Sequence, residues 1–352
     1  MTEATEPEVL LERRGQLGLI TLNRPRAINA LTHNMVALID GALTSWESDA
    51  AITTVAITGA GERGLCAGGD IVSLYEAAKA GDTASAADFW FDEYHLNARI
   101  GRYSKPIVAI QDGIVLGGGI GISAHASHRV VTERSRLGLP EVGIGFVPDV
   151  GATWLLSRAP GELGTFVALT AGNLGAADAI AVGLSDSFVP SERLPRLLAA
   201  LETTDAAEAI ALLAQTPAPA PLETARAWID AAFSAPTVAD IIELLRAAGI
   251  GDADKAADAI EAKSPTALAV TLASLRRAAE LDSLEAALDQ EYRVSLRAHA
   301  SADFAEGVRA QVIDKDRNPS WASAASIDQA LIDSFFYPLE GRELGLAATV
   351  IR

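Results

Sequence analysis

The chain has 352 residues, and its 28 basic and 46 acidic residues give a net charge of −18. That length is enough to bury a large core, while the negative charge argues against nucleic acid and anionic membranes as partners. The single cysteine, Cys66, excludes an intramolecular disulfide. Because the sequence also shows no signal peptide and no apolar run long enough to span a membrane, we expect a cytoplasmic protein.

A strand, a glycine-rich loop and a helix follow one another twice in the first 126 residues. The predicted elements are a hairpin over 9–22, a helix after Leu31, a buried strand over 52–58, a loop over 59–70, a helix over 71–80 and a strand over 106–110. The last strand leads through a turn to three glycines and a segment able to start a helix. The aromatic stretch 87–104 receives no assignment. Strands alternating with helices favour an α/β fold that binds ligands at strand ends.

The pattern becomes mainly helical after residue 151. Helices are predicted over 152–171 and 176–183, a strand and a new helix start over 185–194, and almost continuous helix over 200–300, with Ser264 and Ser283 as N-caps. The proline-rich segment 216–221 cannot lie inside a helix or strand, so we interpret it as a linker. The predicted division is therefore a core domain over 1–215 and a mainly helical region over 216–352.

Two glycine-rich loops, each leading into a helix, are the first candidates for function. One spans Cys66–Asp70 and the other contains Gly117, Gly118 and Gly119. Three consecutive glycines cost backbone entropy without adding packing, although a plain tight turn is the simpler explanation of the first loop. Unpaired N–H groups at a helix N-terminus suit a phosphate or the oxyanion formed when a thioester is attacked. Each loop could offer one N–H group to the same oxygen.

Two carboxylates follow in apolar surroundings. Glu141 comes after Pro140 and Asp149 after Pro148, and both have valine or isoleucine neighbours. This pattern predicts partial burial and a raised pKa, although a surface-loop carboxylate is the alternative for Glu141. Because the two residues are eight positions apart across a loop, they could share one cavity, with one acting as a base or nucleophile and the other assisting it.

Other sites receive less support from the sequence. Gly119, Gly121 and Ala124 match the dinucleotide pattern G-x-G-x-x-A, but the preceding strand ends too early. The five histidines form no metal-ligand spacing, so no metal is expected; His125 and His128, one turn apart at the end of a helix, are interpreted as structural. Cys66 has no histidine base nearby in the sequence and is interpreted as packing. No G-x-S-x-G elbow is present.

Taken together, NRP…NAL, AGGD, KP…GGG and PE…G resemble the crotonase (enoyl-CoA hydratase/isomerase) superfamily over about 23–190. More narrowly, LGGGIGIS, PEVGIGFVPDVG and DFAEGVRAQVIDKDRNPSW resemble the 3-hydroxyisobutyryl-CoA hydrolase group, as far as Trp321. The resemblance implies the crotonase (ClpP-like) spiral of ββα units with a helical C-terminal region. It also implies a possible trimer or hexamer assembled through those helices.

The resemblance also implies roles for individual residues. In crotonases two backbone N–H groups polarise an acyl-CoA thioester, and these fall on Gly69 and Gly118. Hydratases carry two catalytic glutamates, at positions occupied here by Gly121 and Glu141, which puts simple hydration in doubt. The hydrolase group uses Glu141 and Asp149 instead. The substrate-binding residues implied are Glu93, for a substrate hydroxyl, and Ala67, Gly68, Asp70, Ile71, Gly117 and Arg26.

The activity implied is hydrolysis of 3-hydroxyisobutyryl-CoA to 3-hydroxyisobutyrate and CoA, in valine catabolism. Coenzyme A is then part of the substrate, and no separate cofactor is expected. Two alternatives stay open: a hydratase or isomerase in which Glu141 and Asp149 shuttle a proton on an unsaturated acyl-CoA, and a non-catalytic binding subunit. The preferred acyl group, and whether Glu141 is nucleophile or general base, are also open.

Overall fold

Two β-sheets form the N-terminal half in this computed structural model, which describes residues 6–350. The strands are β1 (Val9–Arg14), β2 (Leu17–Leu22), β3 (Thr54–Gly59), β4 (Ile107–Gln111), β5 (Ile114–Leu116), β6 (His128–Val131), β7 (Arg136–Gly138), β8 (Asn173–Leu174) and β9 (Ser187–Phe188). One sheet has the order β1-β2-β3-β4-β6-β9, parallel except for the β1–β2 hairpin, and the other has the order β5-β7-β8.

The helices lie between these strands and make up most of the chain after them. They are α1 (His33–Ser48), α2 (Ile71–Ala80), α3 (Thr83–Gly101), α4 (Gly118–Gly121), α5 (Ala152–Leu156), α6 (Leu163–Thr170), α7 (Ala176–Val182), α8 (Leu194–Leu201), α9 (Ala206–Ala211), α10 (Pro221–Phe233), α11 (Val238–Ala247), α12 (Gly251–Glu261), α13 (Pro265–Ala278), α14 (Leu284–His299), α15 (Ala302–Val308), α16 (Gln329–Ser334) and α17 (Leu346–Val350). A short 3-10 helix spans Glu141–Ile144, and a π-helical turn, Arg309–Ile313, follows α15.

Most predicted elements have clear local causes. The hairpin turns at Gly15, whose φ of 59° suits glycine. β4 is buried along its whole length, as expected for an apolar strand inside a parallel sheet. The predicted caps are confirmed: Ser264 and Ser283 each accept a hydrogen bond from a backbone N–H in the first turn of their helices. The predicted α/β fold with a helical C-terminal region is therefore confirmed.

Two predictions about local structure need correction, and one unassigned stretch gains an assignment. The helix predicted over 152–171 is two helices, α5 and α6, separated by turns over 157–162. The stretch left unassigned belongs to α3 as far as Gly101, and the 19 residues of this helix include Trp90 and Tyr94 on its buried side. His125 and His128 do not end a helix: α4 stops at Gly121, His125 lies in a turn, and His128 begins β6. The glycines that start α4 have poor helix propensity, which explains why it is so short.

The C-terminal helices pack directly on the N-terminal half. α14 lies against α3, and α10 lies against α6 and α7. Residues 216–220 contain no helix or strand, and Pro221 begins α10, as the proline-rich sequence indicates. One continuous hydrophobic core includes side chains from both regions. The division at residue 215 stays a prediction.

Candidate active site

The two glycine-rich loops lie side by side. Leu116 donates its backbone N–H to the carbonyl oxygen of Cys66 at 2.9 Å, which holds the end of β5 against the first loop. Gly68 and Gly117 have φ values of 106° and 47°, a region that favours glycine. A β-carbon built on Gly118 would lie 3.3 Å from the amide nitrogen of Gly69. The backbone therefore places the amides of Gly69 and Gly118 next to each other.

Both of these amides are free to bind a ligand. Within residues 6–350, neither Gly69 nor Gly118 donates its backbone N–H to a protein acceptor. The neighbouring groups are satisfied, because Leu31 donates to the carbonyl oxygen of Gly68 at 2.8 Å and Asp70 donates to that of Leu31 at 2.9 Å. Two adjacent, unused donors at a buried site are the geometry that an oxyanion hole requires.

A cavity of about 210 Å³ opens in front of these amides. All the residues predicted for catalysis or substrate binding line it, except Asp70 and Arg26. Asp70 lines an adjoining cavity of about 240 Å³ and pairs with Arg24 at 3.1 Å, while Arg26 is exposed and lines neither. Trp90 and Phe146 stack in the wall of the first cavity with centroids 5.3 Å apart. The wall suits a small acyl group.

A larger cavity, of about 580 Å³, lies between α11, α12, α13 and α16. Apolar side chains form most of its lining, and none of the residues predicted for catalysis reaches it. We therefore place the candidate active site in the smaller cavity, where titratable groups and unused donors converge.

Glu141 and Glu93 are buried and incompletely hydrogen-bonded. Glu141 Oε2 and Glu93 Oε1 have no hydrogen-bond partner among the described residues. Burial, together with the nearby charge of Asp149, holds the pKa of both carboxyls well above the usual range. A β-carbon on Gly117 would lie 2.9 Å from Glu141 Oε1, and one on Gly118 would lie 2.7 Å from Glu93 Oε1. The two carboxyls therefore flank the second glycine loop.

Asp149 has a firm hydrogen-bond partner. The Tyr94 hydroxyl donates to Asp149 Oδ2 at 2.6 Å and lies 2.8 Å from the Ser295 hydroxyl. Burial raises the pKa of Asp149 to about 7, although the hydrogen bond from Tyr94 opposes this. Since the pKa values of Glu93 and Glu141 lie well above the usual range, we expect Asp149 to ionise first among the three carboxyls that line the cavity.

Glu291 of α14 holds the backbone that follows Asp149. It accepts hydrogen bonds from the amides of Gly151 at 2.6 Å and Thr153 at 2.9 Å, and from the Thr153 hydroxyl at 2.5 Å. Burial raises the pKa of Glu291 to about 8. Tyr94, Glu291 and Ser295 were not predicted from the sequence. The only local signal is that Glu291 and Ser295 lie four residues apart, on one face of a helix.

The position of the missing hydratase glutamate is filled by other residues. A β-carbon on Gly121 would lie 2.7 Å from Val150 Cβ and 2.8 Å from Asn97 Nδ2. Real β-carbons do not approach other atoms this closely, so a glutamate at this position requires Asn97 and Val150 to move. The packing therefore leaves no room for a second carboxylate there.

Cys66 and His125 are unsuited to nucleophilic or base catalysis. Cys66 is fully buried, and burial raises the pKa of its thiol to about 12, so it carries no thiolate at neutral pH. His125 donates from Nε2 to the carbonyl oxygen of Val150 at 2.8 Å, and burial lowers its pKa to about 4. These properties agree with the packing and structural roles predicted for the two residues.

The family of the chain follows from comparison with known proteins. A profile described as enoyl-CoA hydratase/isomerase matches residues 17–336. The chain belongs to this family. A relative from Rattus norvegicus named 3-hydroxyisobutyryl-CoA hydrolase, mitochondrial, is 42% identical over 358 residues, covering 98% of this chain and 92% of its own. The predicted resemblance is confirmed, and the chain is an enzyme of the crotonase superfamily.

Solved structures share the fold over almost the whole chain. A carnitinyl-CoA dehydratase from Mycobacterium thermoresistibile is 51% identical, with a TM-score of 0.92 over 96% of this chain and 98% of that one. An enoyl-CoA hydratase from Rhodobacter sphaeroides 2.4.1 is 42% identical, with a TM-score of 0.89 over 95% and 98%. The crotonase fold predicted from the sequence is confirmed.

Proposed function

We propose that the enzyme hydrolyses a short 3-hydroxyacyl-CoA thioester, with 3-hydroxyisobutyryl-CoA as substrate and 3-hydroxyisobutyrate and CoA as products. The observation that carries this proposal is the position of Glu141. Its carboxyl lies against the loop of Gly117 and Gly118, and one of its oxygens has no hydrogen-bond partner among the described residues. Position 121 offers no second glutamate for hydration. The hydrolase name of the 42% identical rat relative supports the same activity.

In the proposed reaction the thioester oxygen binds between the amides of Gly69 and Gly118. Loss of one such donor typically raises the barrier by about 2.7–4 kcal/mol, so these amides dominate the stabilisation of the tetrahedral intermediate. In its ionised form, Glu141 attacks the carbonyl carbon to give an anhydride that water opens, or it takes a proton from the attacking water. In either route the C–S bond breaks, water supplies the new carboxyl oxygen, and the CoA sulfur leaves as a thiol. Asp149 orients Glu141 or the water and positions the leaving group, whose sulfur receives the proton that the water gives up.

Glu93 selects the substrate in this proposal. Burial raises the pKa of this carboxyl well above the usual range and so favours its protonated form, which both donates and accepts hydrogen bonds. A hydroxyl group on the third carbon of the acyl chain needs such a partner. An acyl group without the hydroxyl leaves Glu93 unpaired in the bound complex, which weakens binding.

A second candidate function is reversible hydration or isomerisation of an unsaturated acyl-CoA. The names of the two similar solved structures, a carnitinyl-CoA dehydratase and an enoyl-CoA hydratase, favour it. Glu141 and Asp149 would then transfer a proton at the acyl chain, and the thioester bond would survive. Release of free CoA therefore separates the two candidates.

The first experiment measures thiol released from 3-hydroxyisobutyryl-CoA by the purified enzyme. We expect steady release that falls at least a hundredfold in Glu141→Gln and is unchanged in Glu208→Gln, an exposed glutamate of α9. Release that persists in Glu141→Gln contradicts the role of Glu141. No release, with turnover of crotonyl-CoA, favours the second candidate. No turnover of either compound favours the non-catalytic binding subunit.

The cellular setting is part of the same proposal. Among residues 6–350, no helix is long and apolar enough to cross a membrane. We propose a cytoplasmic enzyme of valine catabolism, whereas the name of the rat relative places that protein in mitochondria. Assembly into a trimer or hexamer stays a prediction, which light scattering on the purified protein checks.

A further inference from the structure

We infer that Glu291 and Ser295 of α14 are positioning residues that hold Asp149 in its working orientation. The inference rests on the proposed active site, and it adds two residues that stabilise Asp149 from a distant part of the sequence. Two independent contacts carry it: one from Glu291 to the backbone after Asp149, and one from Ser295, through Tyr94, to the Asp149 carboxyl.

The contact through Tyr94 has a defined direction. The Tyr94 hydroxyl has a single proton, which it donates to Asp149 Oδ2 at 2.6 Å. The Ser295 hydroxyl, 2.8 Å from the Tyr94 oxygen, is therefore the donor in the other contact. Hydrogen bonds arranged in one direction strengthen each other. Ser295 thus makes Tyr94 a stronger donor and stabilises the charged form of Asp149.

The contact through Glu291 fixes the main chain. Its two carboxyl oxygens accept from the amides of Gly151 and Thr153, two and four residues after Asp149, and one of them also accepts from the Thr153 hydroxyl. Glu291 and Ser295 are one turn apart and both are buried, with exposures of 1% and 0%. One face of α14 therefore holds both the backbone that follows Asp149 and the partner of its carboxyl.

The surroundings of Asp149 make this support necessary. Glu93 and Tyr94 of α3, Glu141 of the 3-10 helix and Glu291 of α14 are the titratable groups whose charge or hydrogen bonding acts on or with Asp149. Burial opposes the ionisation of Asp149, and once charged it raises the pKa values of the three neighbouring glutamates. No Lys or Arg side chain of the described residues pairs with it. With no cation beside it, hydrogen bonds are the interactions that favour its charged form and fix its orientation.

Ser295→Ala is the decisive variant, because it removes one hydroxyl and leaves the helix intact. We expect the pKa of Asp149 to rise by about one pH unit, and kcat to fall about tenfold at neutral pH with KM unchanged. Ser295→Thr keeps the hydroxyl, so the pKa of Asp149 and kcat should both stay close to those of the wild-type enzyme. Ser274→Ala is the matched control, since Ser274 is a buried helical serine whose hydroxyl has no partner among the described residues.

The pKa is read directly from the ¹³C carboxyl resonance of Asp149, assigned by its loss in Asp149→Asn, and the pH profile of kcat is read in parallel. If the pKa of Asp149 and the pH profile of kcat are both unchanged in Ser295→Ala, the inference is overturned. If the wild-type enzyme releases no CoA, the proposed function fails, while the resonance still tests the support. Glu291→Gln should lower kcat further; if it does not fold, the Ser295 variants decide.

Discussion

Replacing Gly118 by alanine tests the oxyanion hole without removing any hydrogen-bond donor. The new methyl carbon would lie 2.7 Å from Glu93 Oε1, 3.1 Å from Leu31 Cδ1 and 3.3 Å from the Gly69 amide nitrogen. In the proposed reaction it therefore occupies the space that the substrate oxygen needs. Gly118 does not have positive φ, so the backbone itself accepts alanine.

Gly69→Ala is the internal comparison. There the methyl carbon would meet only the Phe89 ring, at 3.6 Å, which is an ordinary contact. We expect kcat/KM to fall by about 10²–10³ in Gly118→Ala, comparable to the loss of one oxyanion donor, and by less than tenfold in Gly69→Ala. Gly118→Ala should also lower the free energy of unfolding by about 1–3 kcal/mol, because it overpacks a buried site.

The assay is thiol release over a range of substrate concentrations, with thermal unfolding of each variant. Gly41→Ala is the control for the substitution itself: it lies in α1 with nothing within 4 Å of the new methyl group. It should stabilise the protein by roughly 0.5–1 kcal/mol and leave kcat/KM unchanged. Equal losses of kcat/KM in Gly118→Ala and Gly69→Ala would refute the steric reasoning.

Three further predictions follow from buried groups. Glu93→Met should lower kcat/KM for 3-hydroxyisobutyryl-CoA about tenfold relative to isobutyryl-CoA, because one hydrogen bond to the hydroxyl is lost; equal changes for both thioesters would contradict the role of Glu93. Burial raises the pKa of Asp149 to about 7 and that of Glu291 to about 8, so the folded chain keeps protons that the unfolded chain has released above about pH 4. The free energy of unfolding, measured by denaturant titration, should therefore fall as the pH rises from about 4 to about 8 and level off above that, and it should fall less steeply in Glu291→Gln. Cys66 should not react with a thiol reagent at pH 8 until the protein is unfolded, and rapid labelling of the native enzyme would contradict its burial.

The sequence was sufficient where a signal is local. A serine before a proline predicted the start of α13, and the apolar neighbours of Glu141 and Asp149 predicted burial that the structure bears out. The glycine loops stand out in the sequence because a run of glycines costs backbone entropy and adds no packing. Their meeting at one point depends on a bridge between Cys66 and Val115 of β5, a tertiary contact that no local pattern indicates.

The parts that the sequence did not predict are those set by tertiary contacts. α3 was not predicted because the polar and aromatic residues in its sequence obscure the helical spacing of its buried positions, among them Phe89, Trp90 and Tyr94. Glu291 reads as an ordinary charged residue in an amphipathic helix, and only the fold brings it to Gly151, 140 residues away. No local propensity records such a contact.

The support that α14 gives to the Asp149 loop has a consequence for synthesis of the enzyme. Gly151 leaves the ribosome 140 residues before Glu291, a delay of roughly 7–28 s at ordinary rates of translation. During that time the nascent chain already carries both glycine loops and Glu141, but not the helix that secures Asp149. We therefore expect growing chains to be inactive and activity to appear only after α14 docks, so that full activity also reports a completed fold.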